Sequence, residues 1–273
     1  MSTRVFIGER EVAAIDPGNR GLAYGDGVFE SMRVHGSGVP MWPRHLARLR
    51  EGTQRLGIKV PDAGFIEARI VEMTAECSAG ALKLLLTRGA GGRGYALPVP
   101  DTPSWLLSLH PLPGMKITGL HLYHCETRLA IQPALAGIKH CNRLEQVLAR
   151  AECERAGCDE GLMRDTADNV VCATAANLLV LREGAWSTPP VVDCGVAGVL
   201  RGWLLDQGLL EVASVSLAQL QSADALALCN AVRGILPVAW LGAQSWRPHP
   251  AVAQLQAKLA LAYPMFSESM EVA

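Results

Sequence analysis

Lys139 stands in the segment LAGIKHCNR, among small and apolar residues and just ahead of a stretch with helical spacing. A lysine so placed can serve as nucleophile or base, because an apolar setting and the partial positive charge of a helix N-terminus both disfavour the ammonium form. Spacing alone also admits a solvated surface lysine. Arg143 follows four positions later, where it either points inward or meets solvent in the first turn of that helix. The run Gly89-Ala90-Gly91-Gly92-Arg93-Gly94 matches GxGxxG behind an apolar strand, but Pro98 and Pro100 prevent the following residues from forming the helix that would receive a pyrophosphate. It reads instead as a glycine loop offering Arg88 and Arg93 to an anion, or as a tight surface turn. Arg48 and the run Gly198-Val199-Leu200-Arg201 can each meet a phosphate, one through a guanidinium fork and the other through backbone N–H groups. Singly, each also reads as a surface arginine or an ordinary helix start. His124 with Cys125 and His140 with Cys141 lack CxxC or HExxH spacing, so no metal site is expected.

These residues need elements to position them. Residues 4–15 have apolar runs on both sides of Gly8-Glu9-Arg10, which predicts a hairpin. Residues 27–34 alternate as a strand that sends Val28, Glu30, Met32 and Val34 to one face and Phe29, Ser31 and Arg33 to the other. Leu46, Leu49 and Leu56 predict a helix over 43–56, with Arg44, Arg48 and Arg55 off its apolar stripe. LKLLLT (82–87) and SWLLSLH (104–110) read as strands covered on both faces. Composition breaks at PLPG (111–114), which predicts a smaller N-terminal α/β domain over 1–112, a linker over 113–117 and a larger C-terminal α/β domain over 118–273 that carries Lys139. Past Lys139, Leu144, Val147, Leu148 and Ala151 follow helical spacing, with a capping box from Asn142 and Glu145 and a stop at Gly157. GLMRD, VVCAT and NLLVLREG read as short strands, and AVAQLQAKLALAY as a closing helix.

The 273 residues are 49% hydrophobic and 19% charged, enough for a buried core. A net charge of −1 without a basic run gives no footprint for nucleic acid or an anionic membrane. The N-terminus lacks the apolar stretch of a signal peptide and no window spans a bilayer, so a cytoplasmic protein is expected. The eight scattered cysteines read mostly as reduced core thiols.

Taken together, GLAYGDGVFESMRV (21–34), RHLARL (44–49), TRGAGGRGY (87–95), LAGIKHCNRLEQVLAR (135–150), DEGLMRD (159–165), ATAANLLV (173–180), GVAGVLR (195–201) and LCNAVRGILPV (228–238) resemble the fold-type IV pyridoxal-phosphate enzymes. That group includes branched-chain and D-amino-acid aminotransferases and aminodeoxychorismate lyases, and GIKHCNRLEQVLAR beside GGRGY is similar to the lyase branch. The resemblance implies a two-domain α/β (α+β) fold with pyridoxal 5'-phosphate in the cleft and a homodimer interface close by. It implies conversion of 4-amino-4-deoxychorismate to 4-aminobenzoate and pyruvate, in transient contact with the synthase that makes the substrate. Lys139 becomes the lysine that holds the cofactor as a Schiff base, Arg48 a ligand of its phosphate, Val199 and Leu200 backbone donors, and Asn230 a neighbour of that end. Arg93 is the first choice for a substrate carboxylate, with Ser31 and Arg143 as further substrate-side candidates. An aminotransferase of the same fold, or a non-catalytic partner of the synthase, are the alternatives.

One position departs from the pattern. Where the family carries a glutamate five residues before the Asn of its Asn-Leu pair, to meet the cofactor's pyridine nitrogen, this chain has Cys172 before Asn177. A thiol would stabilise a carbanion less than a carboxylate does, which harms transamination more than an elimination driven by aromatisation.

Overall fold

The computed structural model describes residues 2–114 and 118–267, so residues 115–117 of the expected linker lie outside the described residues. Contacts divide the chain into two units. The first runs to Pro113 and includes Ile138–Asn142, and the second contains Gly114–Gly137 and the chain from Arg143 onward.

In the first unit the expected hairpin is β1 (Ser2–Ile7) with β2 (Arg10–Val12), followed by the short helix α1 (Arg20–Tyr24) and strand β3 (Gly27–His35). Next come α2 (Trp42–Leu56), α3 (Ala63–Thr74), β4 (Ala79–Thr87) and β5 (Ser104–His110). The sheet order is β2-β1-β5-β4-β3, antiparallel at every pair. Strand alternation decides its two faces. Val28, Met32, Val34, Leu82, Leu84, Leu86, Trp105 and Leu107 form a core with Leu49 of α2 and Ile66 and Ile70 of α3. Each such side chain contributes about 1.5–3 kcal/mol by leaving water. The other face of β4 is half-buried, so the strand is dry on one face rather than both. On that second face Ser31 pairs in register with Lys83, and Lys83 with Ser108.

The second unit contains β6 (Leu120–Leu129), α4 (Leu144–Arg155), β7 (Glu160–Asp165), β8 (Val170–Ala173), β9 (Asn177–Arg182) and β10 (Ala185–Thr188). It continues through α5 (Val199–Asp206), β11 (Glu211–Val212), α6 (Leu217–Gln221), β12 (Ala225–Asn230), β13 (Gly234–Leu241), β14 (Gln244–Ser245) and α7 (Pro250–Ala262). Its sheet runs β11-β10-β9-β12-β13-β6-β7-β8, and the pair Cys172–Asn177 joins β8 back to β9, so the strands from β9 round to β8 close a ring. Leu122, Leu162, Leu178, Val180, Leu226, Leu228, Leu236 and Val238 pack into one core of this unit. Cys125, Cys153, Met163, Val171, Cys172 and Cys194 form another, to which α4 contributes Ala149.

Helix α4 corrects two details. The capping box does not form: the N-cap is Arg143 without a side-chain cap, Glu145 accepts from the Ala130 N–H at 2.8 Å, and the Asn142 amide donates to the Gly25 carbonyl at 3.2 Å. Asn142 therefore satisfies a distant backbone group rather than its own helix. The apolar stripe Leu144, Val147 and Leu148 is exposed at 77, 60 and 58%, while Ala149 and Cys153 on the other side are buried. At its end, Gly157 takes a left-handed φ of 66° and donates to the Glu154 carbonyl, stopping the helix where the sequence placed the stop.

Candidate active site

Lys139 lies on the segment Ile138–Asn142, which runs antiparallel to the start of β3. The Phe29 N–H donates to the Lys139 carbonyl and the Cys141 N–H to the Gly27 carbonyl, both at 2.9 Å, with Val28 and His140 as the bridge pair. Sequence order places Lys139 beyond the domain boundary, whereas its contacts group it with the first unit. Its Nζ sits 4.4 Å from the centroid of the Phe29 ring, and Lys83 Nζ from β4 sits 5.3 Å from the same ring. Phe29 thus offers the negative face of one π-system to two amines.

The neighbouring residue, Glu30, points to the opposite, core face of β3, where a carboxylate is costly unless paired. It accepts from Arg48 Nε at 2.8 Å and Arg48 Nη2 at 2.5 Å, and shares a 2.6 Å bond with His45 Nδ1. Helix α2 supplies both partners because residues three apart lie on one side. Burial pushes the Glu30 carboxyl up, but the charge of Arg48 and the bonds from His45 and Arg48 outweigh it and hold the group at about 2. Burial draws His45 below the usual imidazole range, against the pull of Glu30. Because an ionised carboxylate only accepts, His45 Nδ1 is the donor in their shared bond. Arg48 is thus turned inward, with one edge of its guanidinium fixed by Glu30.

Of the two arginines expected to meet an anion from the glycine loop, Arg88 does not. It is buried, donates to Asp26 at 2.8 and 3.2 Å, and binds the Gly57 and Leu56 carbonyls at the end of α2, each at 2.7 Å. A guanidinium at the foot of the loop is spent on closing α2. Asp26 is held below the ordinary carboxylate range because Arg88 and Arg20 outweigh the effect of its burial. Arg93 is exposed on the loop, which is not helical, as the two prolines required. Ser31 is half-buried on the same strand face as Phe29.

In the second unit, α5 begins at Val199 and Leu200 with Gly198 as its N-cap, no side-chain cap and no acidic residue in its first turn. The Asn177 amide donates to the Val196 carbonyl at 2.9 Å, and a Cβ on residue 198 would stand 1.9 Å from Asn177 Oδ1, so any side chain there would have to displace the Asn177 amide. Arg201, read with this run, is buried and donates to Thr188 Oγ1 and the Pro189 carbonyl, which makes it a packing residue. Asn230 uses its Oδ1 to accept from the N–H groups of Val232 and Arg233, and its amide donates to the Ala175 carbonyl. Cys172 is buried on β8 opposite Met163, and burial with the nearby Cys194 pushes its thiol up to about 12, against a smaller downward pull from Arg143. It is a neutral thiol near neutral pH.

Sequence reasoning missed Glu30, His45 and the Asp26 pairings, and held Lys83 only as the lysine to examine after Lys139. One signal was present: Glu30 alternates with Val28, Met32 and Val34, and a carboxylate on an apolar strand face demands a cation nearby. Among the described residues, no group of three or more His, Cys, Asp or Glu could hold a metal ion, and no helix is long and apolar enough to cross a membrane.

Residues 27–241 match the family described as amino-transferase class IV. The chain is 33% identical over 235 residues to an aminodeoxychorismate lyase of Vibrio harveyi, covering 83% of this chain and 87% of that one. A crystal structure of 4-amino-4-deoxychorismate lyase from Pseudomonas aeruginosa is similar with a TM-score of 0.87 and 42% identity, over 94% of this chain and 98% of that one. The branched-chain amino acid aminotransferase of Escherichia coli shares the fold at a TM-score of 0.82 and 21% identity, over 96% and 94%. A lysine set against an aromatic ring, an arginine oriented by a buried carboxylate and an uncapped helix N-terminus thus occur on the two-unit α/β fold of these enzymes, and the chain belongs to the amino-transferase class IV family.

Proposed function

We propose that this protein is a pyridoxal-phosphate-dependent lyase that converts 4-amino-4-deoxychorismate to 4-aminobenzoate and pyruvate. The observation that carries this reading is 42% identity, over 94% of the chain, to a lyase of that name.

The residues present suit a phosphorylated aldehyde. Lys139 supplies an amine beside an aromatic ring, Arg48 a guanidinium already oriented by Glu30, and α5 an N-terminus free of acidic side chains. In this reading Lys139 is the residue that would hold the cofactor covalently. Arg48 and the N–H groups of Val199 and Leu200 would hold its phosphate, and Asn230 would brace the turn near that end. When bound, pyridoxal phosphate supplies an electron-accepting ring. Cys172, standing where the family has a glutamate, would offer that ring no carboxylate, since its buried thiol is pushed up to about 12. A weak electron sink suits an elimination that ends in an aromatic ring better than a transamination.

Lys139 Nζ would take the proton from the substrate carbon that bears the amino group. It then returns a proton to the enolpyruvyl group as that leaves as pyruvate. Arg93 meets one of the two substrate carboxylates, Ser31 orients the lysine or the substrate, and Arg143 lies on the substrate side. The reading includes a smaller domain over 1–112, a linker over 113–117 and a larger domain over 118–273. It includes a homodimer, supported by the exposed stripe Leu144, Val147 and Leu148, a cytoplasmic setting, supported by free cysteines, and transient contact with the synthase.

The test supplies chorismate, glutamine and a purified aminodeoxychorismate synthase, and follows 4-aminobenzoate with and without this protein. Product should form only when both proteins are present. Exchange of amino groups between an amino acid and a keto acid, without 4-aminobenzoate, would make the protein an aminotransferase instead.

A further inference from the structure

We propose that Arg20 is a positioning residue that holds the glycine loop 89–96 and, through it, Arg93; this rests on the reading of Arg93 as a ligand of a substrate carboxylate. Arg20 is buried on α1, at 4% exposure. Its Nη1 donates to the carbonyls of Gly94 and Ala96 at 3.1 and 3.0 Å, and its Nη2 to the Tyr95 carbonyl at 3.4 Å. Its backbone N–H donates to the Gly89 carbonyl at 2.8 Å. One residue therefore grips the loop at its first position by main chain and at its last three by side chain, on either side of Arg93.

The guanidinium is itself fixed. Its Nε donates to Asp26 Oδ2 at 2.8 Å, and Arg88 donates to the same oxygen at 2.8 Å, so Asp26 is anchored from a second direction. Arg20 also lies 5.0 Å from the Tyr24 ring centroid, and Tyr24 meets Tyr95 at 5.4 Å between centroids. The loop depends on this hold because its own backbone is permissive. Gly89 and Gly92 take φ of 97° and 77°, and a Cβ there would stand 1.9 Å from the Thr102 carbonyl oxygen and 2.2 Å from that of Ala96. Residues free to adopt many conformations lose most entropy when ordered, so a donor that ties three carbonyls narrows the positions open to Arg93. A planar fork can span three carbonyls, whereas the point charge of a lysine cannot. The loop is thus a support for Arg93 built around a buried cation that never touches the substrate.

The test uses Arg20→Lys, Arg20→Met and Arg93→Ala in the full-length holoenzyme. Hydrogen exchange over residues 90–96 is measured together with kcat, KM for 4-amino-4-deoxychorismate and cofactor retention. Both Arg20 variants should speed exchange of the Ala96 amide and raise KM about tenfold, the effect of losing one bond to a charged group, with kcat and cofactor retention little changed. The lysine variant keeps the charge facing Asp26, so the comparison survives if Arg20→Met does not fold. Unchanged exchange in Arg20→Lys would overturn the proposal, as would faster exchange with unchanged KM while Arg93→Ala raises KM. If Arg93→Ala leaves KM unchanged, the substrate role of Arg93 fails, and the exchange result alone decides whether Arg20 holds the loop.

Discussion

Glu30→Gln keeps the side-chain shape and removes the charge that Arg48 and His45 share. The carboxylate is 1% exposed and sits in bonds of 2.5, 2.6 and 2.8 Å. Holding it at about 2 instead of 4.5 corresponds, at roughly 1.4 kcal/mol per pH unit, to about 3–4 kcal/mol of stability at neutral pH. Removing one partner of a buried ion pair costs about 3–5 kcal/mol by an independent route, because the other charge is left uncompensated. The two figures agree, and an exposed pair would be worth at most about 1 kcal/mol. The pH dependence has a definite sign. A carboxyl lowered in the folded state stabilises fully above the unfolded value of 4.5, and this contribution is lost as pH falls toward 2. Urea unfolding of both proteins at several pH values should show the variant less stable by about 3–4 kcal/mol at pH 7, with the gap closing between 4.5 and 2. A loss below about 1 kcal/mol, or a gap independent of pH across that window, would refute the account of Glu30 as a buried anion.

Lys139→Ala should abolish both the visible absorption of bound pyridoxal phosphate and 4-aminobenzoate formation, and retention of either would move attention to Lys83, the other amine on the Phe29 ring. Arg48→Ala should weaken cofactor retention about ten- to a hundredfold. Excess cofactor should restore most of its activity, and low activity at saturation would instead point to the substrate or to the fold through Glu30. Cys172→Glu should raise side transamination of ordinary amino acids far more than lyase turnover, and thermal denaturation should show a cost of several kcal/mol for a carboxylate in this apolar place. A folded variant with unchanged transamination and cofactor spectrum would show that residue 172 does not tune the cofactor.

Local pattern alone placed the elements that carry this chemistry. Alternation from Gly27 to Val34 set the strand and its two faces, and Gly157 marked the end of α4, because side-chain direction and left-handed backbone are properties of a few consecutive residues. The same pattern showed that Pro98 and Pro100 forbid a helix behind the glycine loop, whereas Lys139 was set apart from a surface lysine only by the family resemblance of its segment. Partners far apart in sequence lay beyond it. Asn142 and Glu145 had the spacing of a capping box, but each found a better partner in Gly25 and Ala130. Arg88 had the spacing of a loop anion ligand, but Asp26 and the end of α2 claimed it. Arg48 binds Glu30 across 18 residues, and Arg20 reaches Tyr95 across 75. Nothing in the local chain ranks one distant acceptor above another, since a buried charge takes whichever partner packing brings within about 3 Å. Residue type could therefore say that Glu30 needs a cation, and only the packing of α2 on β3 decided that the cation is Arg48.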